Sequence, residues 1–157
     1  MQHQINNFFS QTHLYYMNKH TKITTLMSDH VIVANLNNTF SQVCRLFTEH
    51  SLHHLPVVDE QGNPIGIISP RDVLNAYRHQ MPEGVLATDT ESIDRHISIS
   101  HLMTPNPTTL EEEDTVADAA AMFATHAYQA VPVVNSAGGV VGIFTTRDLV
   151  KFFAQYD

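Results

Sequence analysis

The sequence is poor in cysteine, in long apolar runs and in basic residues, and each shortage excludes a class of protein. Cys44 is the one cysteine, so no disulfide can form within the chain, and we expect a protein of the reducing cytoplasm. No apolar run approaches the roughly 20 residues that span a bilayer, and the mean hydropathy of −0.14 is that of a globular protein. The first residues have neither the basic nor the apolar stretch of a secretory signal, so none is expected.

Acidic residues outnumber basic ones, with 16 Asp and Glu against 8 Lys and Arg and a net charge of −8. A protein that binds nucleic acid needs a basic face to meet the phosphates, so we expect no nucleic acid partner. A phosphate-binding loop of the form Gly-x-x-x-x-Gly-Lys-Ser/Thr is also missing, which excludes ATP hydrolysis of that type. We expect no enzyme activity.

The sequence repeats itself without a gap. Gly66–Asp72, which reads Gly-Ile-Ile-Ser-Pro-Arg-Asp, returns 76 residues later as Gly142–Asp148, which reads Gly-Ile-Phe-Thr-Thr-Arg-Asp. The same offset carries Pro56–Val58 onto Pro132–Val134, and it holds from Leu26 to Asp72. The chain is therefore one small unit used twice. A unit of roughly 50 residues is near the lower limit for an independent core, so the two units should pack on each other.

Apolar spacing and capping residues predict the same element order, β-α-β-β-α, in each unit. In the first unit the predicted elements are a strand at Val31–Val33, a helix from Phe40 to about His50 capped by Thr39, strands at His54–Val58 and Ile65–Ile68, and a helix from Pro70 to about His79. In the second unit they are strands at 108–110, 130–134 and 140–144 and helices at 116–126 and 146–155. The predicted fold class is α+β, with two repeats packed about a pseudo-two-fold axis.

The remaining segments divide the chain further. Residues 1–22 carry aromatic side chains at helical spacing and are predicted to form a helix that packs on the module. The first repeat covers 23–79, and the second covers 96–157. Residues 80–95 form the connector, with a helical turn expected near its end. Cys44 lies on the apolar face of a predicted helix, so we expect a small buried residue and not a nucleophile.

The repeated motif places a hydroxyl, an arginine and a carboxylate where a strand meets a helix. These residues are Ser69, Arg71 and Asp72 in the first copy and Thr145, Arg147 and Asp148 in the second. A hydroxyl followed three residues later by an acid is a capping box, which explains two of the three positions but not the arginine. A helix start also binds anions through its free N–H groups, arginine pairs with phosphate, and a carboxylate accepts from ribose hydroxyls. The motif therefore also suits a ribonucleotide.

The order Leu-Met-Ser/Thr, then Pro-Val-Val, then Gly-Ile-x-Ser/Thr-x-Arg-Asp resembles the cystathionine-β-synthase (CBS) domain family. The resemblance covers residues 22–79 and 96–155, so the chain looks like a complete tandem pair, or Bateman module. It implies a disc with two clefts between the repeats. Such clefts bind adenosine-containing ligands such as AMP, ADP, ATP or S-adenosylmethionine, and no other cofactor is implied.

The resemblance also implies roles for ten residues. Asp72 and Asp148 match the ribose-binding aspartates, and Ser69 and Thr145 match the neighbouring hydroxyls, with Arg71 and Arg147 beside them. Leu55 and Val131 match the backbone edge against which adenine lies. His53 and His54 match the positions that reach the phosphates of the ligand held by the other repeat. The second copy has Gln129 and Ala130 in place of the histidines. The Asp148 cleft is therefore expected to be the better equipped, and the Asp72 cleft to be without the imidazole pair.

The sequence thus predicts a stand-alone regulatory module that binds an adenosine-containing ligand and signals to a regulated protein that the sequence does not identify. A homodimer is expected through helices that include Thr39–His50 and Thr115–His126. One alternative is a ligand-free dimeric scaffold. Another is a metal-binding protein, because His50, His53 and His54 are spaced like metal ligands. Their predicted places on different elements argue against a shared metal ion, and none is predicted.

Overall fold

The computed structural model describes residue 18 and residues 20–80 and 89–155. Most of the predicted N-terminal helix lies outside these residues. No helix in the described ranges is long and apolar enough to cross a membrane.

The described chain is an α+β fold of two similar units. The first unit consists of a 3-10 turn (Ile23–Thr25), β1 (Ala34–Asn35), α1 (Phe40–His50), β2 (Leu55–Val58), β3 (Pro64–Ile68) and α2 (Pro70–Gln80). The segment between the units holds α3 (Thr90–His96). The second unit consists of α4 (Ile99–Leu102), β4 (Thr104–Pro105), β5 (Leu110–Glu111), α5 (Val116–Thr125), β6 (Ala130–Val134), β7 (Val140–Thr145) and α6 (Thr146–Ala154).

The helices begin where the sequence provides capping side chains. The Thr39 hydroxyl accepts from the backbone N–H of Gln42, and the Gln42 side chain accepts from the N–H of Thr39. Thr115 and Asp118 make the same reciprocal pair at the start of α5. Each pair satisfies donors that a helix start leaves free. The predicted starts of both helices are therefore confirmed.

The strands form two sheets, ordered β1-β2-β3-β4 and β5-β6-β7. The first strand of each sheet is parallel to the second, and the remaining pairs are antiparallel. Gly62 and Gly138 sit in the two hairpin turns at φ of 87° and 89°, a conformation that favours glycine. Buried apolar side chains form one core on each sheet.

Three short strands differ from the prediction. Val31–Val33 is not a strand; β1 follows at Ala34–Asn35, where Ala34 pairs with Val57. The strand predicted at 108–110 is displaced to Leu110–Glu111, and β4 was not predicted. A two-residue strand has too little alternation for a sequence pattern to reveal it, because distant pairing partners decide where it lies.

The residues at the start of each unit, 23–32 and 99–108, pack on the other unit, and we call them the leading segments. Thr104 of β4, at the start of the second unit, pairs with Ile67 of β3 in the first unit. Ser28 in turn makes an antiparallel bridge to Ile143 of β7. Helix α4 contributes Ile99 to the first core, and Ile23 is buried in the second. Each core is therefore completed by the other unit's leading segment.

The connector also joins the first core. Ile93 of α3 is buried there, and the carboxylate of Asp94 accepts from the backbone N–H of Ser41 at the start of α1. The predicted helical turn near the end of the connector is confirmed as α3. Residues 81–88 lie outside the described ranges.

Candidate functional site

Two clefts lie at the ends of β3 and β7, where each strand meets the following helix. The cleft at Asp148 has a volume of about 420 Å³, and the cleft at Asp72 has a volume of about 600 Å³. Both volumes are typical of sites for small molecules. The two linings consist largely of positions that the 76-residue repeat makes equivalent.

Asp148 is held at the first turn of α6 by its own capping box. Its Oδ2 atom accepts from the backbone N–H of Thr145 at 2.9 Å and from the Thr145 hydroxyl at 2.6 Å. Its Oδ1 atom lies 3.6 Å from Nζ of Lys151. The residue is only 5% exposed, so this carboxylate is buried at the helix start. One oxygen stabilises the helix start, and the other lies next to Lys151, which also lines the cleft.

Asp72 repeats this arrangement at the start of α2 with fewer contacts. Its Oδ2 atom accepts from the backbone N–H of Ser69 at 2.7 Å and from the Ser69 hydroxyl at 2.6 Å. Asp72 is half-buried, and the exposed side chain of Arg71 lines the same cleft. Arg147 lines the Asp148 cleft in the equivalent position. Each cleft thus combines a fixed carboxylate, a hydroxyl and a guanidinium.

His53 and His54 line both clefts. They lie beside Asp148, Thr145 and Arg147, which agrees with the predicted crossing between repeats. The expectation that the Asp72 cleft is without imidazoles is wrong. His54 directly precedes β2, whose Leu55 pairs with Ile68 at the end of β3, so its own repeat's cleft is adjacent.

The surroundings of His54 disfavour its protonated form. Burial lowers the pKa of His54, and the charge of neighbouring His53 lowers it further. The carboxylate of Asp72 acts in the opposite direction and raises this pKa. The protonation of this half-buried imidazole therefore depends on its burial and on the charges of His53 and Asp72.

The two backbone positions predicted to meet adenine differ in their placement. Val131 lines the Asp72 cleft. Leu55 is fully buried and is not among the residues that line either cleft.

Sequence reasoning missed the wall that the leading segments contribute. His30, Val31 and Ile32 line the Asp148 cleft, and 104–108 line the Asp72 cleft. Tyr128, between α5 and β6, also lines the Asp72 cleft. A signal for these residues was present, because the repeat extends upstream of the first strand in each copy, as Leu26-Met27 and Leu102-Met103.

Neither a metal site nor a reactive thiol emerges from the described part of the chain. Within these residues no three His, Cys, Asp or Glu side chains come together in a way that could hold a metal ion. Cys44 is half-buried rather than buried, and both burial and the charge of Asp94 raise the pKa of its thiol. A raised pKa keeps the thiol in its less nucleophilic protonated form.

The fold and the paired clefts define a module of two tandem α+β repeats with a cleft at each strand–helix junction. The family model of the CBS domain matches residues 23–79 and 99–155. The chain therefore belongs to the CBS domain family and contains two tandem copies. The resemblance and the fold class predicted from the sequence are both confirmed.

Solved structures share this architecture. The CBS domain pair of protein MJ0100, in complex with 5′-methylthioadenosine and S-adenosyl-L-methionine, is 27% identical with a TM-score of 0.72, covering 87% of this chain and 98% of that one. CBSX2 in complex with AMP is 22% identical with a TM-score of 0.70, covering 86% of this chain and 97% of that one. The likeness to CBSX2 bears on the fold alone.

Curated relatives include short and long proteins. A CBS domain-containing protein of Dictyostelium discoideum is 30% identical and covers 85% of this chain, which spans 91% of that protein. The L-aspartate semialdehyde sulfurtransferase of Methanocaldococcus jannaschii is 29% identical over 85% of this chain. The chain spans only 23% of that enzyme's length.

Proposed function

We propose that this chain is a regulatory module that binds an adenosine-containing ligand in its two clefts and passes the binding event to a partner protein. The observation that carries the proposal is the duplicated carboxylate at the strand–helix junction. At Asp148 and at Asp72 a single oxygen takes both hydrogen bonds from the capping residue. The second oxygen of each is left to accept from ribose hydroxyls.

The other cleft residues complement this acceptor. Arg147 and Lys151 beside Asp148, and Arg71 beside Asp72, supply charge for a phosphate or carboxylate on the ligand. The starts of α6 and α2 also direct the positive end of a helix dipole toward each cleft. The MJ0100 pair binds two adenosine derivatives at 27% identity, which supports the same ligand class here.

The proposal extends to a module without catalysis of its own that works in the cytoplasm as a homodimer. A change in shape or association on ligand binding is the expected signal, and it requires a ligand that binds two states with different affinity. The sulfurtransferase relative supports a regulatory role beside an enzyme, because this chain corresponds to under a quarter of its length.

Substitution by asparagine tests the carboxylates more cleanly than substitution by alanine. Asp148→Ala also removes the carboxylate half of the capping box with Thr145 and so destabilises the start of α6. Asparagine keeps an oxygen that can accept from Thr145 and puts an amide donor where the ribose hydroxyls would donate. We expect Asp148→Asn and Asp72→Asn each to abolish one class of site in titration calorimetry with AMP, ATP, S-adenosylmethionine and 5′-methylthioadenosine.

The unsubstituted protein should also melt at a higher temperature with a true ligand, because stabilisation grows as RT ln(1 + [L]/Kd). The double variant Asp72→Asn with Asp148→Asn is the matched control and should show neither heat nor stabilisation. Absence of heat and of any thermal shift with all four ligands in the unsubstituted protein would refute the proposal. The ligand-free scaffold would then be the better interpretation, and stabilisation by Zn²⁺ or Ni²⁺ alone would favour the metal-binding alternative.

A further inference from the structure

The two clefts are built from equivalent positions but carry different charge. Lys151 lines the Asp148 cleft, and its equivalent on α2 is the neutral Asn75. His30 also lines the Asp148 cleft, and its equivalent in the Asp72 cleft is Asn106. Each cleft has one arginine of the motif, and His53 and His54 line both clefts. These residues therefore do not make the charge of one cleft different from that of the other.

Lys151 accounts for most of the difference in charge. Its Nζ atom lies 3.6 Å from Oδ1 of Asp148, one turn further along α6. His30 contributes less, because its Nδ1 atom lies 2.7 Å from Oδ1 of Asp29. That carboxylate offsets a positive charge on the imidazole. A lysine beside the proposed ribose acceptor is placed to meet the phosphates attached to the same sugar.

Part of the lining of the Asp72 cleft is neutral and aromatic. The hydroxyl of Thr108 donates to Tyr128 Oη at 3.0 Å, and both residues line this cleft. The Tyr128 ring is stacked on His126 with centroids 5.1 Å apart. The equivalent residues in the Asp148 cleft are Ile32 and Leu52. Arg71 is retained here, but no lysine lines this cleft, so a phosphate would meet less positive charge than in the Asp148 cleft.

We propose that the two clefts select different ligands: the Asp148 cleft takes a phosphorylated adenosine compound, and the Asp72 cleft takes an adenosine compound without phosphate. Lys151 and Asn75 set the difference. This inference depends on the proposed adenosine binding and adds which cleft selects for phosphate.

Single-cleft variants separate the two sites. Asp72→Asn leaves the Asp148 cleft as the binding site, and Asp148→Asn leaves the Asp72 cleft. ATP and adenosine are titrated into each variant by calorimetry at low salt. We expect the ratio of ATP affinity to adenosine affinity to be about tenfold or more higher in the Asp148 cleft, since a hydrogen-bonded charge contributes on that scale.

A reciprocal exchange of two residues then tests their role. In the Asp72→Asn background, Lys151→Asn should lower ATP affinity about fivefold or more and change adenosine affinity by less than about twofold. In the Asp148→Asn background, Asn75→Lys should raise ATP affinity by a similar factor. Arg78→Asn on α2 removes an exposed cation that lines neither cleft and should leave both affinities unchanged. Raised salt should shrink the effect of Lys151 on ATP, because the interaction is screened.

The outcomes separate this inference from the proposed function. Equal ATP-to-adenosine ratios in the two single-cleft variants would overturn the selectivity and leave adenosine binding standing. A parallel loss of ATP and adenosine affinity in Lys151→Asn would show a structural role and would also overturn it. No heat with either probe in the unsubstituted protein would overturn both proposals.

Discussion

His54 is placed so that three different effects act on one imidazole. Burial and the neighbouring charge of His53 lower its pKa, and Asp72 raises it. The two charge effects can be removed separately, because each comes from a single residue. The direction in which the pKa of His54 changes therefore tests whether His53 and Asp72 lie close to its imidazole.

We predict that the pKa of His54, measured by NMR titration of its imidazole, lies below the ordinary value of 6.5. His53→Gln should raise this pKa, because it removes a like charge. Asp72→Asn should lower it further, because it removes the carboxylate that favours the cation. A change in the reverse direction in either variant would contradict the arrangement of the three residues.

The same shift makes a prediction about stability. The unfolded chain binds a proton at His54 more tightly than the folded chain, so stability rises with pH across this range. The contribution of His54 is complete above pH 6.5 and is lost as the pH falls through its lowered pKa. His54→Gln should therefore reduce the loss of stability on acidification, measured by urea unfolding at pH 7.5 and at lower pH.

Residue positions were predictable from the sequence to the extent that the repeat defines them. Asp72 and Asp148 could be identified because their motif occurs twice, and the structure places each at a helix start beside a cleft. The double position of His54 could not be predicted, because it depends on the pairing of Leu55 with Ile68 and on the approach of the second repeat.

The exchanged leading segments press a methionine against a glycine in each unit. Met103 covers Gly66 of β3, and Met27 covers Gly142 of β7 at the equivalent place. Gly66 has more rigid neighbours: a Cβ added there would lie 3.0 Å from Cβ of Met103, whereas one at Gly142 would lie 3.2 Å from Cγ of Met27. Cβ atoms cannot retreat by side-chain rotation, so the first contact is the harder to relieve.

We predict that Gly66→Ala lowers the free energy of unfolding by about 1–3 kcal/mol through overpacking, and by more than Gly142→Ala does. Urea unfolding followed by circular dichroism measures both. Combining Gly66→Ala with Met103→Ala should cost less than the sum of the two single changes, because the Cγ and Sδ atoms that lie closest to the added Cβ are removed and only the Cβ contact remains. Strict additivity would mean that the methionine does not pack on the glycine and would contradict the exchange.

At the scale of elements, helices were predicted well and edge strands were not. Helices α1 and α5 carry capping residues and an apolar stripe within one stretch of chain. β4 has neither, because its two residues are a strand only by pairing with β3 across the unit boundary. Local patterns reveal local structure, and the exchange between units is nonlocal.

The surface of the whole molecule carries an apolar pattern that follows the internal repeat. Leu74 and Tyr77 of α2 are exposed, and so are Val150 and Phe153 at the equivalent positions of α6. Within the described residues, α1 and α5 contribute no large exposed apolar side chain. The predicted homodimer remains a prediction, but these exposures favour α2 and α6 as its contact helices over those expected from the sequence. One patch on each repeat allows a closed twofold dimer.

We predict a particle of twice the 17.6 kDa chain mass for the unsubstituted protein in light scattering coupled to size exclusion. Leu74→Glu combined with Val150→Glu should give the single-chain mass, because unpaired carboxylates would be buried in the interface. The fold should survive, since these side chains are 56% and 64% exposed. Leu36→Glu, a change at another exposed leucine outside both helices, is the matched control and should keep the dimer. A single-chain mass for the unsubstituted protein at every concentration, or a dimer in the double variant, would exclude this interface.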